Sequence, residues 1–285
     1  VLTFNVWGLY ISRDRVARMK AIGDALSTSD FDVITLQELW VDNDYRMIHA
    51  KIKSIYPYSH HFQGGIVGAG LAVFSKQPII QIDFRPYRLN GKPLYVTHGD
   101  WFAGKGIGHV KLKHPNTVID LFTTHMIANY HSKKDGMDIY SVHRCMQMVE
   151  FCNYISSYNS KDSLVIATGD FNIEEQDQLF SEVFDKGMFL VDKRFSLQSV
   201  WKALTSADKS TFNRNSNSYH KSDKDPECID YVMYDPAKAT VKDVKLYLDE
   251  RISGLEKSYS DHTAVAATFL LERSHVHRSI HTSSL

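Results

Sequence analysis

Two short polar segments lie at the ends of apolar runs and carry residue types that can hydrolyse a phosphodiester. Residues 169–172 read Gly-Asp-Phe-Asn after the apolar run 164–167, and residues 260–262 read Ser-Asp-His before the apolar run 263–267. A histidine can take a proton from water, carboxylate oxygens hold a hard cation, and an amide can contact a phosphate oxygen. If the two segments meet in space, they predict metal-assisted cleavage of a phosphate ester.

Other candidate groups end or interrupt further apolar runs. Asn5, Glu38 and His125 each follow an apolar segment, and Asp230 interrupts the apolar segment 228–232. A buried carboxylate needs a partner, and a histidine whose tautomer it fixes is a natural one. Each residue alone has a plain structural explanation, such as a turn, a cap or a backbone hydrogen bond. Their coincidence in one chain favours a shared site.

Strands and helices alternate along the chain and would position these groups. Apolar spacing predicts helices over 13–27, 43–55 and 142–155. The predicted buried positions of the first and third helices are Val16, Met19, Ile22, Leu26, Val142, Met146, Val149 and Phe151. Strands are predicted over 1–6, 33–36, 118–124, 164–169, 228–234, 241–248 and 263–271.

The middle of the chain differs from its flanks. Over 58–113, short apolar runs broken by glycines predict hairpins. This favours packed sheets with helices outside over a doubly wound parallel sheet. Strand ends gather along one sheet edge, so the candidate groups are expected to share a cleft. The polar stretch 206–225 is predicted to be a long surface loop, either mobile or closing over a site.

Composition excludes several classes of protein. The 33 Lys and Arg residues balance 33 Asp and Glu residues, which argues against a nucleic-acid binder that relies on a strong basic field. Three cysteines without a CxxC spacing argue against a disulfide framework and a zinc site. Cys145 and Cys152 are predicted to be buried thiols. No apolar run is long enough to span a membrane.

The candidate set as a whole resembles the exonuclease–endonuclease–phosphatase superfamily. The matching residues are Asn5, Glu38, Asp170-x-Asn172, Asp230 and Asp261-His262. The resemblance implies an α/β (α+β) fold, a four-layer α/β/β/α sandwich of two packed mixed β-sheets flanked by helices. It also implies a single catalytic phosphodiesterase domain over 1–271, followed by a polar C-terminal tail over 272–285.

More specific blocks resemble the animal membrane-associated neutral sphingomyelinases. These blocks are residues 5–8, 60–71 and 98–106, together with the stretch around 124–126. The resemblance implies hydrolysis of sphingomyelin to ceramide and phosphocholine at a membrane surface, with no nucleic acid and no obligate protein partner. Those proteins continue into C-terminal membrane segments, and residues 1–285 contain none, so the expectation is that such an anchor either has been removed or is not used by this member. A membrane-associated protein is expected, intracellular rather than secreted.

The resemblance assigns a cofactor and a base. Mg²⁺, for which Mn²⁺ can substitute, would be held by Glu38 with Asn5 and Asp261, since magnesium prefers oxygen ligands and keeps several waters. His262 would be the general base. Asp230 would hold its imidazole and stabilise the charged form.

The remaining catalytic assignments concern the phosphate. Asp170 and Asn172 would position the nucleophile and a phosphoryl oxygen. His125 and Lys105 would donate to the negative charge that develops on the phosphate. Asp100, like Lys105, corresponds to a residue that the family uses in catalysis.

Sphingomyelin carries a quaternary ammonium group, which aromatic faces bind by cation–π contact. Trp7, Trp101, Phe102 and Tyr130 are candidates because they adjoin the motif residues, with core packing as the alternative. Trp101 and Phe102 could instead enter a bilayer surface.

Rival interpretations remain open at this point. One is another choline- or inositol-phosphate lipid phosphodiesterase, and another is an abasic-site endonuclease or DNase-like nuclease of the same superfamily. Inositol polyphosphate phosphatases carry an arginine where this chain has Tyr231. A non-catalytic lipid- or partner-binding module is a further alternative. Intact His262, Asp230 and Glu38 argue against it.

Overall fold

The computed structural model describes residues 1–65, 68–90, 104–128, 140–158, 163–175, 177, 180, 197–203, 208–223 and 225–271. The helices are α1 Arg15–Leu26, α2 Asp42–Ile52 and α3 Ser141–Tyr158, with a 3-10 helix at Val200–Ala203. The strands are β1 Leu2–Asn5, β2 Val33–Gln37, β3 Tyr58–His61, β4 Ala72–Ser75, β5 Ile79–Pro86, β6 Gly106–His114, β7 Thr117–His125, β8 Ser163–Asp170, β9 Gln198–Ser199, β10 Asp230–Tyr234, β11 Ala239–Tyr247, β12 Arg251–Ile252, β13 Lys257–Ser258 and β14 Ala264–Leu271.

These strands form two six-stranded mixed sheets and one small hairpin. Sheet I has the order β11-β14-β1-β2-β4-β3, sheet II has the order β5-β6-β7-β8-β10-β9, and β12 pairs with β13. In each large sheet one neighbouring pair is parallel, β1 with β2 and β7 with β8. The other pairs are antiparallel, which confirms the predicted hairpins over 58–113.

Two apolar cores hold four layers together. On the outer face of sheet I, alternate strand residues such as Leu2 and Phe4 pack against the α1 and α2 residues Ile22 and Ile48. The second core joins the inner face of sheet I to sheet II and continues into α3 through residues such as Phe151. Because side chains alternate faces along a strand, one sequence supplies both cores. The four-layer α/β/β/α sandwich is confirmed.

Strand direction brings the candidate residues to one edge. In sheet I, β1 and β2 run parallel and β14 runs antiparallel to β1, so the ends of β1 and β2 meet the start of β14. In sheet II, β7 and β8 run parallel and β10 runs antiparallel, which places His125 and Asp230 in register with Asp170. The predicted convergence of strand ends is therefore confirmed.

The interior between the sheets becomes polar towards this edge. The Thr35 hydroxyl on β2 donates to the Thr168 hydroxyl on β8 at 3.0 Å. One step nearer the edge, the Gln37 amide donates to the Thr123 hydroxyl at 3.3 Å. These buried hydrogen bonds fix the two sheets relative to each other, because an unpaired polar group there would be costly.

The predicted buried faces of α1 and α3 are confirmed only in part, with Met19, Ile22, Leu26 and Phe151 buried. Val16, Val142 and Met146 are exposed, although apolar spacing predicted them to be buried. In α3 the buried face includes Gln147, whose side chain accepts from the Ile127 amide and donates to the Leu89 carbonyl. In α1 it includes Arg18. Internal polar partners therefore set the rotation of both helices.

The prediction of a long surface loop over 206–225 is confirmed only in part for the described residues 208–223, which form neither helix nor strand but are partly buried. Thr211 and Asn217 are buried and bind backbone groups of neighbouring segments. The Thr211 hydroxyl accepts from the Asp230 amide at 3.2 Å, and the Asn217 amide donates to the Ser260 carbonyl at 2.8 Å. Polar composition reflects internal hydrogen bonding here, and the segment supports the site from behind.

A few predictions have mixed or untested outcomes. Cys152 is a buried free thiol as predicted, whereas Cys145 is only half-buried. The short strands β9, β12 and β13 were not predicted. The division into 1–271 and 272–285 stays a prediction, because the tail lies outside the described residues. Within the described part, no helix has both the length and the apolarity needed to cross a bilayer.

Candidate active site

A buried histidine–aspartate pair lies at the junction of the two sheets. His262 precedes β14, Asp230 begins β10, and His262 Nδ1 lies 2.8 Å from Asp230 Oδ2. The other ring nitrogen, Nε2, faces Asp170 Oδ2 at 3.8 Å. Burial opposes the imidazolium, but the charges of Asp230 and Asp170 outweigh it and raise the pKa of His262 to about 10. This arrangement fixes the tautomer and holds a proton in the cleft.

Asn5 connects the two sheets at the centre of the site. Its side-chain nitrogen donates to Glu38 Oε1 at 3.2 Å and to Asp170 Oδ2 at 2.9 Å. Its oxygen accepts from the Trp7 amide at 3.0 Å, which fixes the orientation of the side chain. An amide oxygen has two lone pairs, so one remains for another ligand. Asn5 therefore orients both carboxylates and keeps the oxygen that its predicted role in metal binding requires.

Backbone strain is concentrated at the same edge. Trp7, Glu38 and Asn172 all adopt positive φ angles, 48°, 57° and 52°. Gly169 has φ 141°, and a Cβ there would lie 2.0 Å from the Thr124 carbonyl oxygen. Only glycine allows β8 to approach β7 this closely and place Asp170 beside His125. Strained residues persist where the surrounding structure over-determines them, as is common at functional sites.

Three carboxyl groups of the site have raised pKa values, which means that their charged forms are disfavoured. Burial and the negative charge of Asp261 raise the pKa of Glu38. Burial and the charge of Asp230 raise the pKa of Asp170 to about 7. Burial also raises the pKa of Asp261, although His262 opposes it. Such a cluster of buried oxygens favours binding of a cation.

One carboxylate oxygen of this cluster is free to bind a cation. Glu38 Oε2 is buried without a hydrogen bond. A carboxylate oxygen beside like charges suits a hard divalent ion, and magnesium needs few protein ligands because it keeps several waters. The residues present therefore fit the predicted cation.

A second possible set of metal ligands lies beside the predicted set of Glu38, Asn5 and Asp261. Asp170, Asp230 and His262 offer ligand atoms that all lie within 4.8 Å of one another, the one such group in the described ranges. In this group His262 Nδ1 is already bonded to Asp230, and Mg²⁺ prefers oxygen over nitrogen. The donor chemistry therefore favours the side of the cleft that contains Glu38.

His125 and Lys105 lie on the sheet II side of the cleft. Lys105 Nζ is 3.2 Å from His125 Nε2 and donates to the Met126 carbonyl at 3.0 Å. Burial and the charge of Lys105 lower the pKa of His125 well below its ordinary value, so this imidazole is neutral. The Asn172 amide donates to the same Met126 carbonyl at 3.0 Å. The two histidines thus differ in charge.

Residues 2–262 match the sequence family described as the endonuclease/exonuclease/phosphatase family. The chain belongs to this family. It is 34% identical over 285 residues to an inositol phosphosphingolipids phospholipase C of Schizosaccharomyces pombe, covering 93% of this chain and 66% of the relative. It is 38% identical over 178 residues to sphingomyelin phosphodiesterase 2 of Homo sapiens, covering 62% of this chain and 41% of the relative.

The fold also matches solved structures. A mutant of the beta toxin of Staphylococcus aureus, solved with bound magnesium ions, superposes with a TM-score of 0.68 at 20% identity. The match covers 93% of this chain and 97% of the toxin chain. At this identity the likeness shows the shared fold. The chain spans less than two thirds of the length of the two curated relatives.

Arg18 is a member of the site region that sequence reasoning missed. Its guanidinium group is buried below the cleft, where it donates to the carbonyls of Val6, Trp7 and Tyr259. It also lies 4.8 Å from the centre of the Trp7 ring. Arginine among the apolar positions of α1 was the available signal. One face of Trp7 is therefore already occupied by a cation, which disfavours Trp7 as a binder of the substrate ammonium.

The structure brings together nearly all of the predicted site residues that it describes. Asn5, Glu38, His125, Asp170, Asp230 and His262 are linked by the contacts given above, with Lys105, Asn172 and Asp261 directly beside them. Asp100, Trp101, Phe102 and Tyr130 lie outside the described residues. The catalytic role of each residue stays a prediction.

Proposed function

We propose that this chain is a magnesium-dependent phosphodiesterase of the phospholipase C type that hydrolyses sphingomyelin to ceramide and phosphocholine. The observation that carries the proposal is the His262–Asp230 pair, in which Nε2 of His262 faces Asp170 at 3.8 Å. The names of the two curated relatives point to sphingolipid phosphodiesters as the substrate class.

The side chains can perform the hydrolysis as follows. His262 Nε2 accepts a proton from water, while Asp230 holds Nδ1–H and stabilises the imidazolium that forms. The water oxygen bonds to phosphorus and the bond from phosphorus to the ceramide oxygen breaks. That oxygen takes a proton from bulk water, and His262 returns the proton that it accepted to bulk water. Lys105 places its ammonium group beside the cleft, where it stabilises the negative charge on the phosphate.

Glu38, with Asn5 and Asp261, is the set that would hold the cation. When bound, Mg²⁺ supplies Lewis-acid stabilisation of phosphoryl charge and offsets the repulsion among the carboxylates. Offsetting those charges also lowers the pKa of His262 towards the range of a working base. Oxygen ligands accept Mn²⁺ as well, so the proposal includes substitution by Mn²⁺.

The identity of the substrate's head group is the more specific part of the proposal. The relative that aligns with 93% of this chain is named for inositol phosphosphingolipids, which makes an inositol phosphosphingolipid the second candidate substrate. Cleavage on the ceramide side of the phosphate is common to both candidates. We further propose action at a membrane surface in an intracellular compartment, without nucleic acid and without an obligate protein partner.

A substrate panel tests the proposal. Purified protein is assayed on sphingomyelin, inositol phosphoceramide, lysophosphatidylcholine and abasic DNA, each with Mg²⁺, Mn²⁺ or EDTA. The expected result is phosphocholine release with either metal and none in EDTA. The matched control is His114→Ala at the opposite end of β6, which should leave turnover unchanged. Cleavage of abasic DNA with sphingomyelin intact would reject the assignment.

A further inference from the structure

Exposed apolar side chains are concentrated in one segment beside the site. Leu9, Tyr10 and Ile11 are consecutive and are 44%, 78% and 90% exposed. Val16, in the first turn of α1, is 62% exposed. Single exposed apolar residues are ordinary, but a contiguous group marks a surface for an apolar partner. We call these four residues the apolar turn.

The apolar turn is held rigidly from below. The Ser12 hydroxyl lies 2.8 Å from the carbonyl oxygens of both Trp7 and Leu9, and the Ser12 amide donates to Leu9 at 2.9 Å. The buried Arg18 guanidinium donates to the Trp7 carbonyl and to the Ser12 hydroxyl. Because the backbone is fixed, the side chains cannot collapse onto the core, and the fold itself presents them to solvent.

The turn is continuous with the mouth of the site. It begins four residues after Asn5, and the Trp7 amide between them donates to the Asn5 side chain. The Gly8 amide donates to the Glu38 carbonyl at 3.0 Å. A partner bound to the apolar turn would therefore lie next to the carboxylate cluster.

The surroundings of the turn match a lipid interface. Arg15 lies 5.2 Å from the centre of the Tyr10 ring and is paired with the buried Asp44. Arg13 and Lys20 are exposed on either side of it, as is Asp14. At a bilayer surface, aliphatic side chains enter the acyl boundary, tyrosine occupies the head-group level, and basic residues face lipid phosphates. A protein partner would need no such order of groups.

We propose that the apolar turn docks the protein on the lipid bilayer that contains its substrate. The proposal rests on the proposed function for the lipid nature of that substrate. Docking through the turn places the site edge against the head groups, so that a sphingolipid phosphate can enter the cleft while its chains stay in the membrane.

The test compares two sets of serine substitutions in the full chain. The first is Leu9→Ser/Tyr10→Ser/Ile11→Ser. The matched control is Ile80→Ser/Ile82→Ser on the edge strand β5, where the side chains are 53% and 43% exposed. Binding to sphingomyelin–phosphatidylcholine vesicles is measured by co-sedimentation in EDTA, and turnover is measured on vesicles and on a water-soluble phosphocholine diester.

The turn variant should bind vesicles about 10-fold or more weakly, since apolar area drives interfacial binding, and its vesicle turnover should fall in parallel. Turnover of the soluble ester should stay within about 2-fold, as expected for residues outside the cleft. The control should resemble the wild type in all three assays. Vesicle binding by the turn variant at wild-type strength would overturn the proposal.

Two further measurements keep the outcome interpretable. If the triple variant misfolds, Ile11→Trp replaces it. Its fluorescence should be quenched by brominated phosphatidylcholine, and absence of quenching on bound vesicles rejects insertion. If the turn instead joins two copies, light scattering will show a dimer that the variant dissolves with vesicle binding intact, which also rejects the proposal. A wild type that binds vesicles through the turn but cleaves no lipid would refute the proposed function alone.

Discussion

The protein contains two buried histidine–aspartate pairs of the same length in very different settings. His262 Nδ1 lies 2.8 Å from Asp230, and His109 Nε2 lies 2.8 Å from Asp120. The second nitrogen of His262 faces Asp170 at 3.8 Å, at the edge where the two sheets end. The second nitrogen of His109 faces Asp83 at 3.4 Å. The length of the pair therefore does not distinguish a base from a structural group.

The difference lies in position along the strands. His109 and Asp120 are within β6 and β7, fully buried, and the imidazole stacks on Phe122 at 4.6 Å and contacts Tyr158. His262 and Asp230 are at strand starts, where the sheets end and a substrate can approach. A pair at a strand end can exchange protons with a ligand, whereas a pair within a strand can only hold neighbouring elements together.

Removing each histidine should give the largest contrast. His262→Ala should lower turnover by about 10²–10⁴-fold with a small change in melting temperature, because a general base is lost. His109→Ala should leave the turnover of the folded protein unchanged. It should destabilise the fold by about 1–3 kcal/mol, because the buried Asp120 loses the imidazole and keeps only Lys111 at 3.6 Å and Ser163 as partners. Steady-state kinetics and thermal melts measure both effects, and near-normal turnover in folded His262→Ala would remove His262 from the mechanism.

Neutralising each aspartate should sharpen the contrast. Asp230→Asn should lower kcat by about 10²-fold or more, since the imidazolium loses its stabilising charge and its tautomer is no longer fixed. Asp120→Asn should keep kcat and lower stability by about 1–3 kcal/mol. The comparison fails if kcat falls equally in the two variants.

Glu38→Gln tests where the cation binds. This change removes charge and keeps shape, so activity and the increase in melting temperature caused by Mg²⁺ should fall together, with a loss of affinity of about 10-fold or more. Asp83→Asn beside His109 is the matched control and should leave the metal response intact. Full activity of the wild type in EDTA would contradict a metal role for Glu38.

The two regions should also respond oppositely to pH in metal-free protein. The pKa of Asp170 is raised to about 7, so its contribution to stability is present below the unfolded value of about 3.9 and is lost as pH rises through 7. For Asp120, burial alone would raise the pKa, but hydrogen bonding from His109 outweighs burial and lowers the pKa. The Asp120 contribution is therefore lost as pH falls.

Melting temperatures between about pH 2 and pH 8 measure this contrast, because the Asp120 contribution is lost below its unfolded pKa of about 3.9. Asp170→Asn should flatten the decline at high pH, and Asp120→Asn should flatten the decline at low pH. The gain in melting temperature from Mg²⁺ should grow between about pH 5.5 and pH 8, because the ion offsets charges that form over that range. A gain that is constant with pH would show that Asp170 is not linked to the ion.

Sequence patterns predicted the site better than its supports. Polar residues at strand ends identified Asp170 and His262, because strand direction forces such ends to one edge. The pattern around Asp120, an acid within an apolar strand, is the same as that around Asp230, so sequence alone could not separate the structural pair from the candidate base. Their different positions relative to the strand ends became clear only in the fold.

The supporting elements depend on tertiary contacts that local patterns do not encode. Arg18 is buried because carbonyl oxygens from residues 6–7 and from Tyr259 surround it, and these two segments are far apart in sequence. The rotation of α3 depends on Gln147, which bonds to two loops. Within residues 208–223, the buried polar side chains of Thr211 and Asn217 bind backbone groups of distant segments. In each case, hydrogen bonds to residues distant in sequence decide which side chains are buried, and the spacing of apolar residues does not.

The position of β14 between β1 and β11 has a consequence for biosynthesis. The first strand of the chain gains its second neighbour in the sheet only when one of the last strands is available, and His262 enters the cleft with that strand. A nascent chain on the ribosome is therefore inert until β14 has left the exit tunnel. The proposed hydrolysis could therefore begin only after β14 has been translated and has paired with β1.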